Sequence, residues 1–166
     1  AMNMNLATQT PLAPAPRLPQ ELVESTTFLL KRLGFAAKDR TLAAYEETGL
    51  HPYHHAVLLV LDEGAPETQG SIADSLGYDR GQLVGLLDEL EERGLVERKR
   101  DPNDRRRHVV RSTPEGKKML RRLRTLSGQI EDDFLAPLDE REREALHGLL
   151  LRLAETHEPR CAPLKP

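Results

Sequence analysis

The chain has 166 residues, 38% hydrophobic and 31% charged, with a net charge of −3 and one cysteine. A chain this long can bury a single core without disulfide or metal, and one thiol, Cys161, excludes an internal disulfide and fits a reducing cytoplasm. No apolar run approaches the roughly 18 residues needed to span a bilayer, and no basic-then-apolar leader opens the chain, so no membrane partner is expected.

Residues 1–19 carry four prolines and little apolar periodicity, which predicts a disordered N-terminal tail. Residues 158–166 read as a frayed C-terminal tail. Leu22, Leu29, Leu30 and Leu33, set among charges, predict a helix over about 20–47. "HPYHHAVLLVLDEG" predicts a second, with a dense apolar middle over 56–61. In "SIADSLG" Ser71 is placed as N-cap with Asp74 three residues on, and Gly77 as the stop. Its Ile72, Ala73 and Leu76 are suited to a core.

"YDRGQLVGLLDELEERG" follows after a turn of two or three residues, the connection of a helix-turn-helix. Asp79 is placed to cap, and Gln82 completes the spacing of a capping box. Leu83, Leu86, Leu87 and Leu90 form one buried stripe, and Gly94 ends the helix. The outward face carries Arg80, Gly81, Gln82, Val84 and Gly85. A glycine inside a helix costs about 1 kcal/mol relative to alanine, so Gly85 asks for a reason. Close approach of a DNA major groove is one: Gln82 suits an adenine edge, Arg80 guanine or phosphate, Val84 a thymine methyl. Neutral drift on a solvent face is the other.

"LVERKR" and "RHVVRST" are strand-like and flank "DPND", where Asp101, Pro102 and Asn103 suit a type I turn. Arg105, Arg106 and Arg107 then fall on the descending side of a hairpin tip, with Asp104 placed to brace Arg106. Three adjacent cations gain nothing from a core. A protruding hairpin beside a groove-reading helix can lay them on phosphates or in a narrow minor groove. Arg98, on the first strand, is grouped with them. Residues 93–124 hold thirteen Lys and Arg against four acids, a local charge of +9 on a remainder of −12. A polyanion is therefore attracted to one segment and repelled elsewhere.

Thr113 and Pro114 open the next helix, whose apolar positions run from Met119 to Phe134. Asp139 with Glu142 marks a further cap ahead of Leu146, Leu149, Leu150 and Leu153. These stripes exceed what one small module can bury and are suited to a second copy of the chain.

"SIADSLGYDRGQLVGLLDELEERGLVERKRDPNDRRRHVVRSTPEG" resembles the winged helix-turn-helix of MarR-type transcription regulators, through "IADSLG", "LLDELEERGLVER", the "DPNDRR" wing and "TPEG". With its flanking helices the resemblance covers about residues 20–157. It implies a mostly α (α+β) fold, a winged helix-turn-helix over about 51–112 with dimerisation helices at about 20–47 and 113–157. It also implies a cytoplasmic homodimer on a pseudo-palindromic double-stranded DNA operator, acting as a repressor released by a small phenolic or aromatic effector. Ser112 departs from the family's apolar residue, implying a looser junction between strand and helix. The thiol of the peroxide-sensing branch is missing from residues 20–60.

His51, Tyr53, His54 and His55 leave three readings open: lining of an effector pocket, metal ligation by the i,i+4 pair His51 and His55, or ordinary helix-start residues. No Cys or His between 113 and 146 adds a further ligand, and no metal or cofactor is expected. Phosphate loop, G-x-S-x-G and H-E-x-x-H patterns are absent, which argues against an enzyme. The rival reading is a winged-helix protein-interaction module that has lost DNA binding, in which the exposed arginines serve no purpose.

Overall fold

A computed structural model of the chain describes residues 16–64 and 67–161. Internal contacts divide it into two units, residues 1–36 and 37–166. Most of the tail expected over 1–19 lies outside the described residues, as do residues 162–166.

The helix expected over 20–47 is interrupted. A short α1, Gln20–Val23, precedes α2, Thr26–Tyr45, and a 3-10 turn follows at Glu46–Thr48. The break falls at Glu24-Ser25, and serine is a residue type that bonds nearby backbone more readily than it continues a helix. Ser25 Oγ accepts the Phe28 N–H at 3.3 Å. After α2, Gly49 reverses the chain in the left-handed region at φ 67°. Thr48 fixes that bend, its hydroxyl donating to Tyr45 O at 2.6 Å and accepting the Leu50 N–H at 3.1 Å.

Helix α3, Pro52–Asp62, buries Val57, Leu58 and Val60. The next helix begins earlier than the sequence indicates: α4 is Gln69–Leu76, and its N-cap is Thr68, not Ser71. Thr68 Oγ1 accepts the Ser71 N–H at 3.1 Å, while Ser71 Oγ accepts the Thr68 N–H at 2.8 Å. Ser71 is thus the reciprocal member of the box. Thr68 is held extended because Glu67–Thr68 forms strand β1, which the sequence reading misses. Two residues are too few to show alternation.

Helix α5, Arg80–Glu92, turns Leu83, Leu86, Leu87 and Leu90 inward. Strands β2, Val96–Arg100, and β3, His108–Ser112, pair antiparallel with Arg98 opposite Val110, and β1 joins the far edge of β3. Long α6, Pro114–Phe134, and α7, Glu140–His157, follow, capped by Thr113 and Asp139, and a 3-10 turn at Pro159–Cys161 stands where the sequence predicts the start of a frayed tail. One core joins Val57 and Leu58 of α3, Ile72 of α4, the α5 leucines, Val110 of β3, and Leu120 and Leu123 of α6.

The junction from β3 to α6 is firm despite Ser112. Thr113 N–H donates to Leu95 O at 3.0 Å and its hydroxyl to Gly94 O at 2.6 Å. Gly116, buried in the first turn of α6, lies against the Leu95 carbonyl, where a Cβ has no room.

Candidate nucleic-acid interface

Asp79 caps α5 through Oδ2, which accepts the Gly81 and Gln82 N–H groups at 2.9 and 3.2 Å. This bond draws the carboxylate against Gly81, so that glycine has a local reason. The return bond of a capping box is not made; the Gln82 side chain is exposed and not spent on the cap. Arg80, Gly81, Val84 and Gly85 are exposed with it. Among the described residues, a Cβ built on Gly85 meets nothing within 4 Å, so no packing there accounts for that glycine.

The wing differs in detail from its sequence reading. The Asp101 side chain accepts the Asn103 N–H at 2.8 Å, a side-chain-closed turn. The bonded backbone turn comes later, with the Arg107 N–H donating to Asp104 O at 2.9 Å. Arg105 and Arg106 therefore occupy the centre of the tip's own turn rather than its descending side. Asp104 holds that turn by accepting the Arg106 backbone N–H at 3.0 Å. Its charge lies 3.7 Å from Nε of Arg107, so the guanidinium it approaches belongs to Arg107, not Arg106. An exposed pair at that distance holds little. Among the described residues, Arg105 and Arg106 have no carboxylate partner.

Arg98 departs furthest from expectation. Its Nη2 lies 2.5 Å from Asp88, its Nε 2.5 Å from Glu91, and its Nη1 3.2 Å from Gln69 Oε1. The guanidinium is engaged within the chain, which argues against counting it among the residues that meet DNA.

The four residues at the start of α3 do not converge on one hollow. His51 accepts the Tyr53 N–H at Nδ1, 3.1 Å, and its own N–H donates to His54 Nδ1 at 2.8 Å. A backbone N–H can only donate, so His54 carries its proton on Nε2 and gives it to Glu89 Oε2 on α5 at 2.7 Å. Burial lowers the His54 pKa despite that carboxylate. His55 points elsewhere, with Nδ1 2.6 Å from the Tyr45 hydroxyl and Nε2 buried without a partner among the described residues. Burial, with Arg124 nearby, lowers its pKa too. Tyr53 is exposed, its ring 5.1 Å from that of Tyr78. His51 and His54 border a hollow of about 360 Å³ with Leu42, Tyr45 and Leu50. A larger cleft of about 620 Å³, lined by Thr41, Ile130, Phe134, Arg143 and His147, touches none of the four. Among the described residues no three potential ligands gather for a metal.

Residues 48–107, from the turn before α3 to the end of the wing, match the model of the MarR family. A protein of Thauera aromatica, assigned as transcriptional regulator of the hcr operon, is 33% identical over 73% of this chain and 78% of its own length. The chain belongs to the MarR family. It is a transcriptional regulator of the winged-helix type, not an enzyme. Solved MarR-type structures superpose closely. The transcriptional repressor CouR, bound to a 23-mer DNA duplex, is 35% identical with a TM-score of 0.74, over 84% of this chain and 99% of that one. CouR from Rhodococcus jostii RHA1 bound to p-coumaroyl-CoA is 31% identical with a TM-score of 0.67, over 82% and 96%. Among the described residues, no helix is long and apolar enough to cross a membrane.

Proposed function

We propose that this MarR-family regulator is a homodimeric repressor that grips operator DNA with α5 in the major groove and the β2–β3 wing on the backbone or in the minor groove. Arg80, Gly81, Gln82, Val84 and Gly85 make the major-groove face, and Arg105, Arg106 and Arg107 the wing contact. The observation that carries this is the wing tip, where Arg105 and Arg106 are exposed and without carboxylate partners among the described residues. Such cations cost folding free energy through mutual repulsion and gain it back on a phosphate. Similarity to a DNA-bound repressor supports the same assignment. The regulator acts in the cytoplasm, beside the DNA it reads.

The proposed dimer uses the outer helices, about 20–47 and 113–157. Leu22, Leu29, Leu30 and Leu33 are exposed in a single chain, as are Leu149, Leu150 and Leu153 of α7. Two-fold pairing predicts a pseudo-palindromic operator with half-sites about one helical turn apart. Release follows binding of a small aromatic acid or its thioester, the chemistry of the p-coumaroyl-CoA that CouR holds. Of the four residues at the start of α3, His51 and His54 line a hollow; His55 and Tyr53 are proposed as structural and surface groups.

Selection of bound duplexes from random sequence, followed by salt titration of the winner, tests the assignment. If each subunit neutralises three or four phosphates, log affinity falls against log salt with a slope of about −6. Replacing Arg105, Arg106 and Arg107 by alanine weakens binding at least about tenfold and flattens that slope. A chain that selects no sequence, or a triple variant that binds as well as the parent, favours a winged-helix protein-interaction module instead.

A further inference from the structure

We infer that Arg98 is a positioning residue: it sets the angle between the wing and the reading helix and touches no DNA itself. One guanidinium joins three elements. It starts on β2, meets Asp88 and Glu91 on α5, both at 2.5 Å, and reaches Gln69, the first residue of α4, at 3.2 Å. Asp88 and Glu91 stand three residues apart, on one side of the helix, so a planar fork can hold both at once. Arg98 is half-buried, while Arg100 two residues on and the wing arginines are exposed.

Asp88 and Glu91 otherwise set like charges against each other on the helix proposed to enter the groove. They also sit where a polyanion approaches, and both are themselves exposed. Arg98 cancels that repulsion and converts it into a tie. Because a strand rises about 3.3 Å per residue, a small tilt at Arg98 is multiplied at Arg105. Groove contact and wing contact must be made together, so a wing that Arg98 no longer holds is ordered only on the duplex, which costs affinity while the same phosphates are met. The force of this reading depends on α5 and the wing being the duplex-binding surface, as proposed above.

Two variants separate a tie from a phosphate contact. Arg98→Met weakens operator binding at least about tenfold while the salt slope stays at the parental value, because no phosphate partner is removed. Asp88→Asn with Glu91→Gln also weakens binding, although it makes each subunit less negative; simple electrostatics demands tighter binding. Thermal melts confirm that both variants are folded at the assay temperature. Amide exchange reads the tie without DNA: β2 and β3 amides exchange faster in Arg98→Met than in the parent. A slope shallower by about 1 for each subunit marks Arg98 as a phosphate contact and overturns the inference. So does tighter binding by the double variant, or unchanged wing exchange. A parent that binds no duplex defeats the DNA reading alone, and the exchange measurement still decides the tie.

Discussion

At His54 a backbone amide decides where a side-chain proton sits. The His51 N–H occupies Nδ1, so a second proton on the ring sets two donors face to face at 2.8 Å. Burial holds His54 and His55 below the ordinary imidazole pKa of about 6.5. With folded values depressed, the unfolded chain takes up protons first as pH falls. The contribution is whole above about pH 6.5 and is lost as the solution is acidified through that value towards the folded pKa values. Thermal melts from pH 7.5 down to 5 therefore show falling stability, and His54→Gln with His55→Gln flattens the decline. A second residue-scale prediction concerns Gly116, whose missing side chain makes room for the Leu95 carbonyl. Gly116→Ala destabilises the fold by about 1–3 kcal/mol, because backbone rather than a flexible side chain must give way. Denaturant unfolding measures it.

Among the elements, α5 shows how stability and function part company. Its inner leucines follow the helical period and are buried, so their place is legible from spacing alone. Gly85 breaks helix propensity on the outer face, and no described residue crowds it. Gly85→Ala is therefore predicted to raise stability by about 0.5–1 kcal/mol. The same variant weakens operator binding, since its methyl group stands between helix and groove. Opposite signs in a melt and a binding titration confirm the assignment; equal affinity returns Gly85 to drift. In the wing, the tip was legible as a turn but its register was not. Asx bonding by Asp101 and Asp104 competes with the Pro102 turn, and moves Arg105 and Arg106 to the apex.

On the scale of the whole molecule, α7 is the element that a single chain leaves unfinished. None of its residues is buried, and Leu149, Leu150 and Leu153 are exposed along it. Apolar surface of this kind marks an interface. Changing all three leucines to glutamate is expected to yield monomers by sedimentation and to reduce operator affinity by at least about tenfold. Loss of the second subunit removes the second half-site, so the salt slope falls to about half its parental value. A triple variant that remains dimeric places the interface elsewhere.

Spacing and capping chemistry were enough to place α3, α5, α6 and α7, the Asp79, Thr113 and Asp139 caps, the hairpin and its exposed arginines. These are local matters, decided by periodicity and by side chains bonding backbone two or three residues away. Even there, Ser71 shows the limit: its helix starts at Gln69 because β1 pairs with β3, a contact between residues distant in the chain. Which cations are free is settled by packing in space. Arg98 and Arg105 are the same residue type on the same hairpin, and spacing does not tell them apart. Asp88 and Glu91 on α5 claim the first, and nothing described claims the second. His54 meets Glu89 across 35 residues by the same rule. A charge is made available or spent by what lies within a few ångströms in space, and the fold alone supplies that distance.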